Sequence, residues 1–364
     1  MMKTPVMALV LGAVLAACSP EAPEQSELAA NNQTDEQVSQ PANEAAGSAD
    51  EETEMAAAER PAWRIVIHGG AGVILRENLS AEQEAAYTAA LETSLQAGAD
   101  ILSAGGSSLD AVQAAVLTME DDPLFNAGYG AVMTAEGIHE LDASIMEGSR
   151  RDAGSVAGVT RVKNPILAAR AVMDQSEHVM FAGEGADAFA ESVGLELVEN
   201  SYFTTDRRRE ALERVLETRE RTDADRHGTV GAVAIDQNGN LAAATTTGGM
   251  TAKMHGRIGD SPLIGAATYA QNGVCAVSAT GHGEYFIRVG VAKTICARVE
   301  LAGEDIETAA NNALAQVAGL GGDGGVIVMG GEGQYAYVFN SAGMYRGMMD
   351  ANGAMETAIF EADE

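Results

Sequence analysis

The sequence predicts an α+β fold in which two antiparallel sheets are flanked by helices. Helix-period and strand-period segments come in blocks, without the strict alternation that builds a parallel sheet. Short segments of alternating polarity, such as Glu140-Leu-Asp-Ala-Ser-Ile-Met146, have the two-residue period of half-buried strands. The 364 residues are 46% hydrophobic, enough to build one large core, and a single domain over residues 61–364 is expected.

Trp63-Arg-Ile-Val-Ile67 reads as a strand running into His68-Gly-Gly-Ala-Gly72. Ser80 with Gln83 makes a capping-box start for a helix reaching about Ala104. A second helix starts at Ser108, with Leu109, Val112, Val116 and Met119 on one face, and stops at Asp122-Pro123. Strands are expected between Tyr129 and Thr160, and helices over Pro165 to Asp174 and Gly185 to Val193. Asp206 to Arg226 is charged and helix-prone, a plausible exposed linker. Strands near 230–236, 241–247 and 274–281 precede helices near 283–300 and 303–317, and strands near 324–329 and 334–340 are expected to close the chain.

The N-terminal end is of another kind. Lys3, an apolar run from Val6 to Leu15 and the sequence Leu15-Ala-Ala-Cys18 look like a bacterial lipoprotein signal, with residues 1–17 removed and lipid on the Cys18 thiol. The run falls short of the ~20 residues that cross a bilayer. Ser19 at the next position points to the outer membrane of a diderm cell, hence a periplasmic, lipid-anchored protein. Residues 18–60 hold few large apolar groups and many carboxylates, and read as a disordered acidic tether. A net charge of −31, from 53 acidic against 22 basic residues, opposes nucleic acid and anionic membrane surfaces as partners. Membrane contact is expected only through the anchor. Cys275 and Cys296 define no disulfide framework and sit in apolar stretches, as small buried hydrophobes. Histidine and cysteine spacings indicate no catalytic transition metal.

The chemistry concentrates at His227-Gly228-Thr229-Val230-Gly231-Ala232-Val233-Ala234, where an unhindered glycine bond leads into a threonine that opens an apolar strand. Cutting the Gly228–Thr229 bond would free an α-amine, of pKa about 7.7–8, beside the Thr229 hydroxyl. Nucleophile and general base would share one residue. Downstream follow Asn240-Leu-Ala-Ala-Ala-Thr-Thr-Thr-Gly-Gly-Met250, Gly256-Arg-Ile-Gly-Asp-Ser-Pro262 and Ser278-Ala-Thr-Gly-His-Gly-Glu284. Together these strings resemble the isoaspartyl peptidase/L-asparaginase family, the plant-type branch of the N-terminal-nucleophile hydrolases, from about Trp63 to the C-terminus.

The resemblance implies an αββα four-layer sandwich, autocleaved into subunits ending at Gly228 and beginning at Thr229, and a dimer of such pairs. It implies hydrolysis of isoaspartyl dipeptides and L-asparagine with no cofactor for the chemistry. Thr247 would orient the nucleophile, and Thr280 with Gly281 would form the oxyanion hole. Arg257 would take the substrate α-carboxylate and Asp260 its α-ammonium, pairings that a planar guanidinium and a carboxylate suit. In Glu120-Asp-Asp-Pro-Leu-Phe-Asn-Ala-Gly-Tyr-Gly130 the resemblance places Asn126 near the nucleophile. A structural sodium ion would sit on the carbonyls of Met119, Glu120, Asp122, Phe125, Ala127 and Tyr129, potassium remaining open. Asp122 departs from the family pattern, but only its carbonyl would be used.

Other signals fail. Gly319-Leu-Gly-Gly-Asp-Gly324 fits a dinucleotide fingerprint but follows a helix and precedes a strand, the wrong order. His68-Gly-Gly lacks the Gly-x-Ser-x-Gly elbow of an esterase, and His282 reads as structural. Two rivals stand beside the main expectation. Glycosylasparaginase normally has aspartate where Gly228 stands, and a tethered, non-catalytic lipoprotein of the same fold would remain uncleaved.

Overall fold

A computed structural model describes residues 61–220 and 228–361 of the chain. The expected signal, Cys18 and the acidic tether lie outside the described residues. Twelve strands among those described make two sheets. The larger contains β1 (Arg64–Gly72), β2 (Leu141–Glu147), β3 (Ala153–Val159), β4 (Met180–Ala182), β5 (Val230–Ile235), β6 (Leu241–Thr247), β11 (Gly343–Asp350) and β12 (Met355–Phe360), in the order β12-β11-β1-β5-β6-β2-β3-β4. The smaller is β10-β9-β8-β7, from β7 (Thr268–Gln271), β8 (Cys275–Gly281), β9 (Gly324–Gly330) and β10 (Tyr335–Phe339).

Helices α1 (Ala81–Ser103), α2 (Ser108–Glu120), α3 (Pro165–Gln175) and α4 (Gly183–Ser192) cover the outer face of the large sheet. After α5 (Asp206–Thr218), α6 (Gly283–Val289), α7 (Val291–Ala302) and α8 (Ile306–Gly319) belong to the other side, where α7 and α8 cover the small sheet. With the two sheets face to face, the layers run helix, sheet, sheet, helix.

The central strands show why the layers form. Along β1, Ile65 and Ile67 enter the core under α1 and α2, while Val66 enters the core between the sheets. Val230, Ala232 and Ala234 of β5 likewise face the helices, whereas Val233 and Ile235 face the small sheet. A two-residue period buried on both faces needs a layer on each side. The abundance of alanine on β6, where Ala242 and Ala244 face one core and Ala243 the other, lets those layers approach closely. Helix α1 starts at the expected capping box: Ser80 accepts from the Gln83 N–H, and Gln83 accepts from the Ser80 N–H. Such a cap is worth about 1 kcal/mol.

Several expectations change. The helix expected over 283–300 is two, because Gly290 adopts a left-handed conformation (φ +63°) that ends α6 before α7 begins. The segment from Asp206 is not simply a linker: α5 runs to Thr218 and buries Leu212 and Val215 against Met133 and Ala252. The chain does not close on the strand ending at Phe339, since β11 and β12 return to the large sheet and β11 pairs with β1. One pairing, β3 with β4, is parallel.

Cys275 and Cys296 are both fully buried, as expected, but they are also disulfide-bonded, with Cα atoms 5.5 Å apart. Their spacing in sequence carries no pairing information. The packing of α7 across β8 does, setting Cys296 over the first residue of that strand. The bond ties down the strand that ends in Thr280 and Gly281. A closed loop of this size contributes about 3 kcal/mol. Replacing both cysteines with alanine should therefore lower the urea midpoint by the equivalent of about 2–4 kcal/mol, read against wild type under non-reducing conditions.

Candidate active site

Thr229 lies at the entry to β5, with its side chain on the face turned to the small sheet. Because β5 and β6 pair antiparallel with Val230 opposite Thr246, Thr229 comes level with Thr247. The Thr229 hydroxyl donates to Thr247 Oγ1 at 3.1 Å, and the Gly249 N–H donates to the same oxygen at 3.0 Å. Asn126 closes this corner. Its side-chain amide donates to the Gly249 carbonyl (2.7 Å), its Oδ1 accepts from the Val132 N–H (2.8 Å), and its carbonyl accepts from the Gly248 N–H (3.0 Å). The structure thus brings Asn126, Thr229 and Thr247 together as the sequence suggests.

Gly228 has φ +138°, where glycine alone is at ease. A β-carbon there would come within 2.8 Å of Asn126 Cβ, and one on Gly70 would come within 2.9 Å of Gly228 Cα. The bond before Thr229 therefore runs through a gap that only unsubstituted backbone fits. Next to Gly70, the Ala71 N–H donates to Thr280 Oγ1 (3.3 Å). Thr280 is fully buried, and its own hydroxyl proton has no acceptor among the described residues, leaving it to serve as a donor. Gly281 follows at the end of β8.

Arg257 and Asp260 come together on the loop between β6 and β7, but not as a pair. Arg257 makes a two-pronged contact with Glu284, Nε to Oε1 and Nη2 to Oε2, each 2.9 Å. Despite partial desolvation, that guanidinium holds the Glu284 carboxyl below its usual range. Asp260 is buried, with Oδ2 lacking any partner, and burial raises its pKa to about 7 against the pull of Arg257. Both side chains press on Gly283, where a β-carbon would lie 2.9 Å from Asp260 Oδ1 and 3.0 Å from Arg257 Nη2. This leaves an unpaired carboxylate and one free guanidinium edge side by side, a complement to an α-amino acid end.

Sequence reasoning missed three contributors. Glu284 was only the last residue of a motif. His68 was read within a strand–turn motif; it shares the inward face of β1 with Val66, the signal that could have marked it. Its Nδ1 donates to the Thr229 carbonyl (3.1 Å), and burial lowers its pKa to about 3, so it is neutral. Nε2 must then accept from the Ser278 hydroxyl (2.9 Å), which continues through Thr245 (2.7 Å) to Thr268 (2.6 Å). The third is buried Lys253, whose Nζ donates to the Glu140 carbonyl (2.8 Å), while the Glu140 carboxylate accepts from the Gly256 N–H (3.2 Å) beside Arg257. Nothing local in the sequence marks it. His282 stands next to Glu284 (3.5 Å) and its N–H donates to the Asp323 carbonyl, as fits a structural residue.

The loop from Met119 to Tyr129 folds back on itself, the Tyr129 N–H donating to the Glu120 carbonyl (2.7 Å) and the Phe125 N–H to that of Asp122 (3.2 Å). The Asp122 carboxylate turns onto its own loop and accepts from the Leu124 N–H (2.9 Å). Main-chain oxygens with second lone pairs remain, a donor set that fits a hard monovalent cation. No cluster of three or more His, Cys, Asp or Glu that could hold a metal occurs among the described residues.

The family model described as asparaginase matches residues 61–359. The isoaspartyl peptidase of Escherichia coli (strain K12) is 47% identical over 309 residues, covering 81% of this chain and 95% of that protein. The isoaspartyl peptidase/L-asparaginase of Xenopus laevis is 42% identical (76% and 89% covered), and the probable isoaspartyl peptidase/L-asparaginase 2 of Arabidopsis thaliana 39% (82% and 99% covered). With the family model matching most of the chain and these relatives 39–47% identical over at least three quarters of it, the chain belongs to the asparaginase family of N-terminal-nucleophile hydrolases.

Proposed function

We propose that the chain is a self-processing threonine amidohydrolase that removes β-aspartyl groups from isoaspartyl dipeptides and converts L-asparagine to L-aspartate. The observation that carries this is the Thr229 hydroxyl, held by Thr247 directly after a glycine bond that passes between Gly70 and Asn126. The names of the relatives support the substrates.

In processing, Thr229 Oγ1 attacks the Gly228 carbonyl carbon, the C–N bond breaks, an ester forms, and water opens it. The freed amine then accepts the hydroxyl proton as Oγ1 attacks the substrate's side-chain carbonyl. Thr280 Oγ1 and the Gly281 N–H receive the developing oxyanion; one such donor is typically worth ~10²–10³ in kcat. The amine passes its proton to the leaving nitrogen, and water releases aspartate from the β-aspartyl ester. Thr247 and Asn126 hold the nucleophile's surroundings, and His68 fixes its carbonyl. Arg257, oriented by Glu284, takes the α-carboxylate, and Asp260 takes the α-ammonium.

A sodium ion on the carbonyls of Met119, Glu120, Asp122, Phe125, Ala127 and Tyr129 would fix the loop that carries Asn126 and supply no step of the reaction. Cleaved pairs associate as dimers. Gly228 in place of aspartate weighs against glycosylasparaginase, and the complete nucleophile corner weighs against a binding-only lipoprotein. The protein is exported and lipid-anchored through Cys18; the Cys275–Cys296 disulfide supports an oxidising compartment.

Three outcomes are expected. Intact mass of purified wild type should give fragments meeting between Gly228 and Thr229, and Thr229→Ala a single chain without turnover; an active, uncut wild type would refute the scheme. Asp260 binds the substrate ammonium only when ionised, so KM for asparagine should rise as pH falls below about 7, while Asp260→Asn should show a high KM with little pH dependence. Growth with a radiolabelled lipid precursor should mark wild type and not Cys18→Ala; equal labelling would discard the anchor.

A further inference from the structure

Behind Arg257 and Asp260 lies a second pair of opposite charges, Lys253 and Asp142, which are 1% and 0% exposed. A β-carbon on Gly249 would come 3.1 Å from Lys253 Nζ and 3.4 Å from Arg257 Nη1. Both cations thus press on the same glycine, whose N–H donates to Thr247 Oγ1 and whose carbonyl accepts from Asn126. Asp142 stands opposite Thr247 in the β2–β6 pairing and two residues from Ser144, so its side chain shares the face that Ser144 turns to Thr268 of the small sheet. Its Oδ1 accepts from the Gly158 N–H (2.8 Å), while Oδ2, like Oδ2 of Asp260, has no hydrogen-bond partner among the described residues.

The two buried charges sustain each other. Burial drives the Asp142 carboxyl up and the Lys253 ammonium down, and for each the other is the largest opposing influence. Asp142 is also near enough to Asp260 to oppose its ionisation. Arg257, by contrast, is gripped twice by Glu284, which cancels much of the attraction that a substrate carboxylate would feel. We propose that Lys253 and Asp142 are positioning residues for the substrate's amino acid end, a buried second layer of charge that repeats the first: Lys253 behind Arg257 draws in the α-carboxylate, and Asp142 behind Asp260 draws in the α-ammonium. The inference rests on the hydrolase reading above and gives Lys253 a part beyond its hydrogen bond to the Glu140 carbonyl. No contact with substrate is needed. Two charges ~10 Å apart at an effective dielectric of about 20 still shift an equilibrium about tenfold.

The test uses the cleaved enzyme, with KM and kcat for L-asparagine and two competitive inhibitors, succinamate, which is asparagine without its ammonium, and β-alaninamide, which is asparagine without its carboxylate. Lys253→Met should raise KM for asparagine and Ki for succinamate about tenfold each, with no weakening of β-alaninamide. Asp142→Asn should do the reverse, weakening β-alaninamide about tenfold and sparing succinamate. A residue that only braces the loop would weaken both inhibitors alike in either variant, and that result, or no change in either, would overturn the second layer alone. The double variant leaves no buried charge unpaired and should fold even where a single one does not. It should raise KM for asparagine about tenfold, and an unchanged KM there would also overturn the proposal. Wild type that turns over neither asparagine nor a β-aspartyl dipeptide would overturn the hydrolase reading and the second layer with it.

Discussion

The pairing of β5 with β6 is the constraint on which the site depends. Antiparallel register sets Val230 against Thr246, and that alone brings the residue before Val230 level with the last residue of β6. A slip of one residue would turn the Thr229 hydroxyl to the helix side and separate it from Thr247. The register is held because both strands are buried on both faces, so a slip would exchange the side chains fitted to the two cores.

From this pairing the other parts follow by short links. The turn after β6 carries Gly248 and Gly249 back onto Asn126 and Thr247, which ties the α2–β2 connection to the nucleophile. The loop beyond delivers Arg257 and Asp260, braced from beneath by Glu140 and Lys253. On the facing sheet, β8 ends in Thr280 and Gly281 and leads into α6, whose first turn carries Glu284 to Arg257. The start of β5, the turn after β6 and the end of β8 thus converge at one edge of the sandwich.

What could be read beforehand was whatever local chemistry encodes. The Ser80–Gln83 cap, the period of α2, the alternation over Glu140–Met146 and the apolar run after Thr229 specify their elements without help from the rest of the fold. The threonines, Arg257 and Asp260 were legible because they stand in dense glycine-rich strings. Partnerships across long separations were not. Arg257 and Glu284 are 27 residues apart, Lys253 and Glu140 113, and nothing in either neighbourhood names the other. Cys275 and Cys296 failed for the same reason, since only the packing of α7 over β8 makes them neighbours. Strands β11 and β12 went unread because Gly343-Met-Tyr-Arg-Gly-Met-Met-Asp350 mixes glycine and methionine without a clear period.

The seam between the sheets also carries a row of polar groups, from His68 through Ser278 and Thr245 to Thr268. Much of the apolar seam around it is alanine and valine, whose contacts are non-directional and fix an alignment less sharply than hydrogen bonds do. The row acts as an index pin. Because neutral His68 gives its single proton to the Thr229 carbonyl, the hydroxyls beyond it must all point the same way, and a glide of one step would strand several of them in a dry interior at a few kcal/mol in total. The same groups that give the sandwich its one permitted alignment thereby keep the two halves of the reaction centre, one on each sheet, in register with each other.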